Sequence, residues 1–93
     1  EGLIKNRGLA LLGKNKKISR ISKKENIVSV FFSIKKTSSK IDLLIPLILS
    51  FFKQEQKECW FLNSHKNLIF QYKNSTKDDY ILLSSFINKI TFF

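Results

Sequence analysis

One cysteine, one histidine, one proline and three glycines are spread over 93 residues, and acidic side chains number only seven against 17 basic ones. A lone thiol, Cys59, cannot form an internal disulfide, so nothing here reads as a disulfide-stapled secreted scaffold. Neither Cys59 nor His65 has partners nearby in sequence that would complete a zinc site. No serine, threonine or cysteine can be placed beside a basic partner, which leaves a nucleophilic enzyme without support. The longest apolar segment, Ile41 to Phe52, is interrupted by Asp42 and Pro46 and falls far short of the roughly 20 residues of a membrane-spanning helix. No signal peptide is visible, and no membrane partner is expected. The chain starts at Glu1 with no methionine, the expectation for a sequence from which an upstream segment, targeting signal included, has been left out.

What is present in quantity is positive charge. The formal net charge is +10 and the sequence pI about 10.0. Such an excess favours a polyanionic partner, nucleic acid before an anionic membrane surface. Hydrophobic residues make up 43%, which argues for a folded core, and the length suits a single domain, residues 1–93. Lys, Ile, Asn and Phe are all abundant, and all have AT-rich codons.

The apolar start through Gly2-Leu3-Ile4 and the break at Gly8 read as the end of a helix, which a glycine in the left-handed conformation would stop. Leu9 to Gly13 is a short strand leaving it, and Lys14 to Lys17 a polar turn. Ile18 to Ser22 alternates as a strand end or extended loop would, and Lys23-Lys24-Glu25-Asn26 breaks it. Ile27 to Ile34 is the surest strand, with Val28, Val30, Phe32 and Ile34 on one face and Ser29, Phe31, Ser33 and Lys35 on the other. Both faces carry apolar residues, which leaves open which one is wet.

Ser39 and Asp42 have the spacing of a capping box, ahead of a helix from about Lys40 to Lys53 with a stripe of Ile41, Leu44, Ile45, Ile48, Phe51 and Phe52. Pro46 sits near its first turn. Glu58 to Leu62 and Leu68 to Tyr72 form a hairpin with a five-residue tip, Asn63 to Asn67. A last helix carries Leu83, Phe86, Ile87 and Ile90 behind a second capping signal at Ser75, Thr76, Asp78 and Asp79. The expected class is α+β, in the order α-β-β-α-β-β-α, with an antiparallel four-stranded sheet packed on helices. There is no tandem repeat.

Gly2, Leu3, Ile4 and Gly8 resemble the second half of the motif of LAGLIDADG homing endonucleases. Lys5 and Arg7 stand where that family has its two acids, and Glu1 stands where it has a small residue. Val30-Phe31-Phe32-Ser33-Ile34-Lys35-Lys36 is similar to the family's following strand, and Phe51-Phe52 to the end of its next helix. The resemblance implies a single repeat with its motif helix truncated. In the family two repeats pack motif helices side by side, which here would use Gly2, Leu3 and Gly8, and their sheets form a saddle on nucleic acid. The family's acids hold divalent metal, usually magnesium. Ammonium and guanidinium groups offer no lone pair at neutral pH, so the resemblance implies no metal, no cofactor and no nuclease activity.

Two readings of Lys5 and Arg7 stay open: direct phosphate contact, the better fit for Arg7 with its bidentate fork, or solvated charges left after the acids drifted, the better fit for Lys5. The densest basic cluster is Lys14, Lys16, Lys17, Arg20, Lys23 and Lys24. Lys35, Lys36, Gln71 and Lys73 complete the set of candidate nucleic-acid contacts. Trp60, Phe61, Phe70 and Tyr72 are able to stack on unpaired bases, but in a chain this small they are read as core. The expected function is RNA binding without catalysis, as a structural protein of an organellar, mitochondrial ribosome contacting rRNA phosphates and neighbouring ribosomal proteins. The alternatives are a group I intron maturase or half of a homing endonuclease paired with a second repeat, and a protein-interaction module docking through its motif helix.

Overall fold

The computed structural model describes residues 2–3, 18–33, 41–74 and 79–91. They form an α+β fold in which five antiparallel strands and two helices follow the order β1 (Gly2–Leu3), β2 (Ile18–Lys24), β3 (Ile27–Ser33), α1 (Ile41–Gln54), β4 (Cys59–Asn63), β5 (Asn67–Lys73), α2 (Asp79–Thr91). The sheet order is β1-β2-β3-β5-β4. The hairpins β2–β3 and β4–β5 meet along their inner strands, and β1 adds a two-residue edge.

Alternation in β3 decides the layering. Val28, Val30 and Phe32 are fully buried, and the register pairs them with Tyr72, Phe70 and Leu68 of β5. Leu44, Ile48 and Phe52 of α1 and Leu83, Phe86, Ile87 and Ile90 of α2 close over this face. Phe52 is the hub, with ring centroids 4.5 Å from Tyr72, 4.7 Å from Phe70 and 5.2 Å from both Phe51 and Phe86. Leu44, Ile48 and Phe52 of the first helical stripe and all four residues of the second are therefore buried, Ile45 and Phe51 pack half-buried against them, and Phe70 and Tyr72 are core residues.

α1 has Asp42 in its first turn and Lys53 in its last, both favourable to the helix dipole. It ends in a Schellman motif: the Lys57 amide donates to the Phe52 carbonyl and the Gln56 amide to the Lys53 carbonyl, both at 3.0 Å. Gln56 takes the left-handed conformation that glycine usually fills there, at φ 56°. Pro46 lies inside the helix, deeper than the first turn, on an exposed position where water can take the carbonyl it leaves unbonded.

Three sequence expectations need correction. Gly2 and Leu3, expected in a helix, pair as strand with Lys23 and Ser22. The remainder of that expected helix, Ile4 to Gly8, the expected strand Leu9 to Gly13 and the capping residues Ser39, Ser75, Thr76 and Asp78 lie outside the described residues. Lys23 and Lys24 do not break the second strand but complete it, and the chain reverses through Glu25-Asn26 alone, with Glu25 left-handed at φ 57°. The tip of the second hairpin is shorter than expected, because Asn63 and Asn67 belong to the strands and the Ser64 amide donates to the Asn67 carbonyl at 2.9 Å.

The Tyr72 hydroxyl is buried and has no hydrogen-bond partner among the described residues. Burial pushes its phenol well above the usual value near 10. Above that pH the unfolded chain releases this proton while the folded chain keeps it, so the stabilisation is complete below pH about 10 and is lost as pH rises further. Tyr72→Phe should raise stability at pH 7 by about 1 kcal/mol, since it removes an unsatisfied buried hydroxyl. The gain should grow at alkaline pH. Urea midpoints of both forms from pH 7 to 11 check this; a constant difference would refute the alkaline part.

Candidate nucleic-acid interface

No described helix covers the other face of the sheet. Its rows follow from strand register. One runs Ser22, Ser29, Gln71, Trp60 and the next runs Arg20, Phe31, Ile69, Leu62, each crossing β2, β3, β5 and β4 in turn. A third, at the β2–β3 turn, holds Lys24, Ile27 and Lys73.

The first row is tied together by hydrogen bonds. The Trp60 indole N–H donates to Gln71 Oε1 at 2.8 Å, and Gln71 Nε2 donates to Ser29 Oγ at 2.9 Å. Both ends of the Gln71 amide are thus engaged within the sheet, and it fixes the indole across the strand gap. Beside it, an open hollow of ≈470 Å³ is lined by Ser22, Lys24, Glu25, Ile27, Ser29 and Gln71.

In the second row the Arg20 guanidinium carbon lies 4.0 Å from the Phe31 ring centroid, a cation–π contact at the surface. A bulge between Ile18 and Arg20 aims Arg20 this way. The bulge residue, Ser19, holds the strand with its hydroxyl donating to the Phe31 carbonyl at 3.1 Å. Leu62 is 45% exposed at the far end of the row. Lys73 Nζ meets Glu58 Oε2 at 3.1 Å, an exposed pair of small energetic weight that leaves the lysine available to another anion.

Of the candidate contacts named from sequence, the structure brings Arg20, Lys24, Gln71 and Lys73 to this one face. Lys23 is not among them: it pairs with Val28 and points to the helix side of the sheet. Lys5, Arg7, Lys14, Lys16, Lys17, Lys35 and Lys36, and Gly8 of the expected helix interface, lie outside the described residues. Ile18, Ser33 and Asn67 share one end of the sheet.

Trp60 departs from its reading as core. It stands on the open face, whereas its neighbour Phe61 turns inward to Phe70 at 4.9 Å. Alternation puts Phe31 on the face opposite Val28, Val30 and Phe32 without deciding which face is wet, and does not single it out. The signal that finds both is register: each sits in a row that begins at a polar or basic residue of β2.

Cys59 faces the core side, partly buried, and desolvation raises its thiol pKa more than Lys53 lowers it, which is the opposite of an activated nucleophile. His65 is exposed at the hairpin tip. Among the described residues there is no cluster of three or more His, Cys, Asp or Glu able to hold a metal, and no helix is long and apolar enough to cross a membrane.

Compared with family models, with curated proteins and with solved structures, the chain matches none.

Proposed function

We propose that this chain is a non-catalytic RNA-binding protein whose contact surface is the sheet face opposite the described helices. The observation that carries the reading is the grouping of Arg20, Lys24 and Lys73 on a face that no described helix covers, in a chain of net charge +10. Lysine and arginine on such a surface bind phosphate oxygens without reading sequence, by releasing the counterions of the polyanion.

The finer proposal is that the frame is a LAGLIDADG-like repeat that has lost its acids and serves as a component of a mitochondrial ribosome. The strand–strand–helix–strand–strand–helix order agrees with the part of such a repeat that follows the motif helix. The pairing of Gly2 and Leu3 as strand counts against the motif helix itself. The AT-rich residue usage fits an organellar gene.

Titration of the purified chain with a structured rRNA fragment and with duplex DNA, across a salt series with and without magnesium, tests the proposal. RNA binding that falls steeply with salt and is indifferent to magnesium is the expected result. No RNA binding at low salt would overturn it, and magnesium-dependent nicking of DNA would replace it with the endonuclease or maturase reading.

A further inference from the structure

We infer that the open face takes unpaired bases, not a duplex, with Arg20 stacked on Phe31 as one platform and Trp60 as the other. This rests on the RNA-binding reading and specifies which form of nucleic acid that site holds. A face meant only for phosphates needs cations and water. This one adds apolar surface beside Arg20: Phe31, Ile69 and Leu62 run side by side across three strands, with Trp60 next to Leu62 on β4.

Each platform is prepared before a ligand arrives. The Arg20 guanidinium, 4.0 Å above the Phe31 ring, offers an exposed flat cation on which a base can lie while its N–H groups remain free for a phosphate. Trp60 is held by its bond to Gln71, which is held in turn by Ser29, so the indole loses little freedom when a base stacks on it.

The spacing excludes a continuous stack. Strands lie about 4.8 Å apart and residues advance about 3.4 Å along them, so the two platforms, two strands and two residues apart, are separated by about 12 Å. Bases in a helix rise only about 3.4 Å per step. A strand that engages both platforms must be splayed over the sheet, with Ile69 and Leu62 beneath the nucleotides between. Charge selects the occupant. Arg20 heads the apolar row, Lys24 and Lys73 lie beyond the Ser22–Ser29–Gln71–Trp60 row on the same face, and Glu58, the carboxylate beside Lys73, is already paired with it.

Trp60 is the chain's only tryptophan, so its fluorescence reports on this face alone. Titration of the full chain with a mixed-sequence single-stranded RNA of 12 nucleotides (about 12, enough to cross the face) should quench it saturably. The same sequence annealed to its complement should bind about tenfold more weakly or worse, without quenching. Arg20→Lys keeps the charge but loses the flat platform, and it should weaken single-strand binding about tenfold with an unchanged salt slope. Phe31→Ala, with folding confirmed by circular dichroism, should do the same. Single-strand binding with unquenched Trp60 and full affinity in Arg20→Lys would overturn the stacking inference while RNA binding through phosphates survives. Tighter binding of the duplex would likewise overturn it. Absence of binding to either probe at low salt would remove the RNA reading as well.

Discussion

Phe52→Ala is expected to remove a large part of the domain's stability and to lower its urea midpoint sharply. Phe52 is fully buried and its ring lies within 5.2 Å, centroid to centroid, of four other aromatic rings drawn from α1, β5 and α2. Truncating a buried phenylalanine costs about 3–5 kcal/mol in lost transfer energy and cavity formation. Domains of this size hold about 5–15 kcal/mol in total, so the loss runs from about a fifth of the stability to nearly all of it. The Phe52 carbonyl, which accepts the capping bond from Lys57, belongs to the backbone and survives the substitution, so the effect reads packing alone. Leu43→Ala on the same helix, 62% exposed, should change stability by about 0.5 kcal/mol or less. Urea denaturation of the two variants checks the contrast; comparable losses would mean that the hub described here is not where the helices and sheet are joined.

Neutralising Arg20, Lys24 and Lys73 together, each to glutamine, should reduce RNA affinity about a hundredfold at about 0.1 M salt. It should also flatten the log–log salt dependence by about two units, at roughly 0.7 per phosphate contact for a single strand. The comparison is Lys53→Gln with Lys89→Gln. Lys53 lies in the last turn of α1 and Lys89 over the Phe51 ring at 5.4 Å, both in the helical layer. Removing these two charges lowers the overall attraction but breaks no contact on the open face, and the salt slope should stay within about half a unit of the parent. An equal loss per charge from the two sets would mean that RNA meets the whole molecule without preference for one surface.

The parts of this architecture legible in the sequence are those in which burial enforces a period. α1 and α2 carry apolar residues at three- and four-residue spacing, and those residues are the core. β3 alternates cleanly through Val28, Val30 and Phe32. β2 was read only in part because the bulge between Ile18 and Arg20 places its two core residues, Ile18 and Ile21, three positions apart instead of two. Its remaining side chains are polar, and its last two lysines resemble a loop.

The site was legible to a similar degree. The sequence marks Gln71 and Lys73 as polar residues of the last strand, Arg20 as part of a strand end or extended loop and Lys24 as part of a break, and their common face is fixed only once the helices cover the opposite one. Lys23 was grouped with its neighbours because a cluster in sequence does not reveal that alternation sends every second member to the other side. Trp60 was hidden because β4 is apolar on both faces. Only its register opposite Gln71 reveals its orientation.

The sheet order also dictates how the chain must assemble. Each hairpin closes over a few residues and can form on the microsecond scale, as local ladders do. The β3–β5 seam joins Ile27 to Lys73 and Ser33 to Asn67, so it cannot form until the chain between has been brought back on itself. That pairing is the topologically expensive event, and α1 lies within the loop it closes. Phe52, carried on α1 and packed against Phe70 and Tyr72 of β5, bridges the loop to the strand that closes it, so its truncation is expected to slow folding as well as to weaken the finished core, which stopped-flow refolding would show.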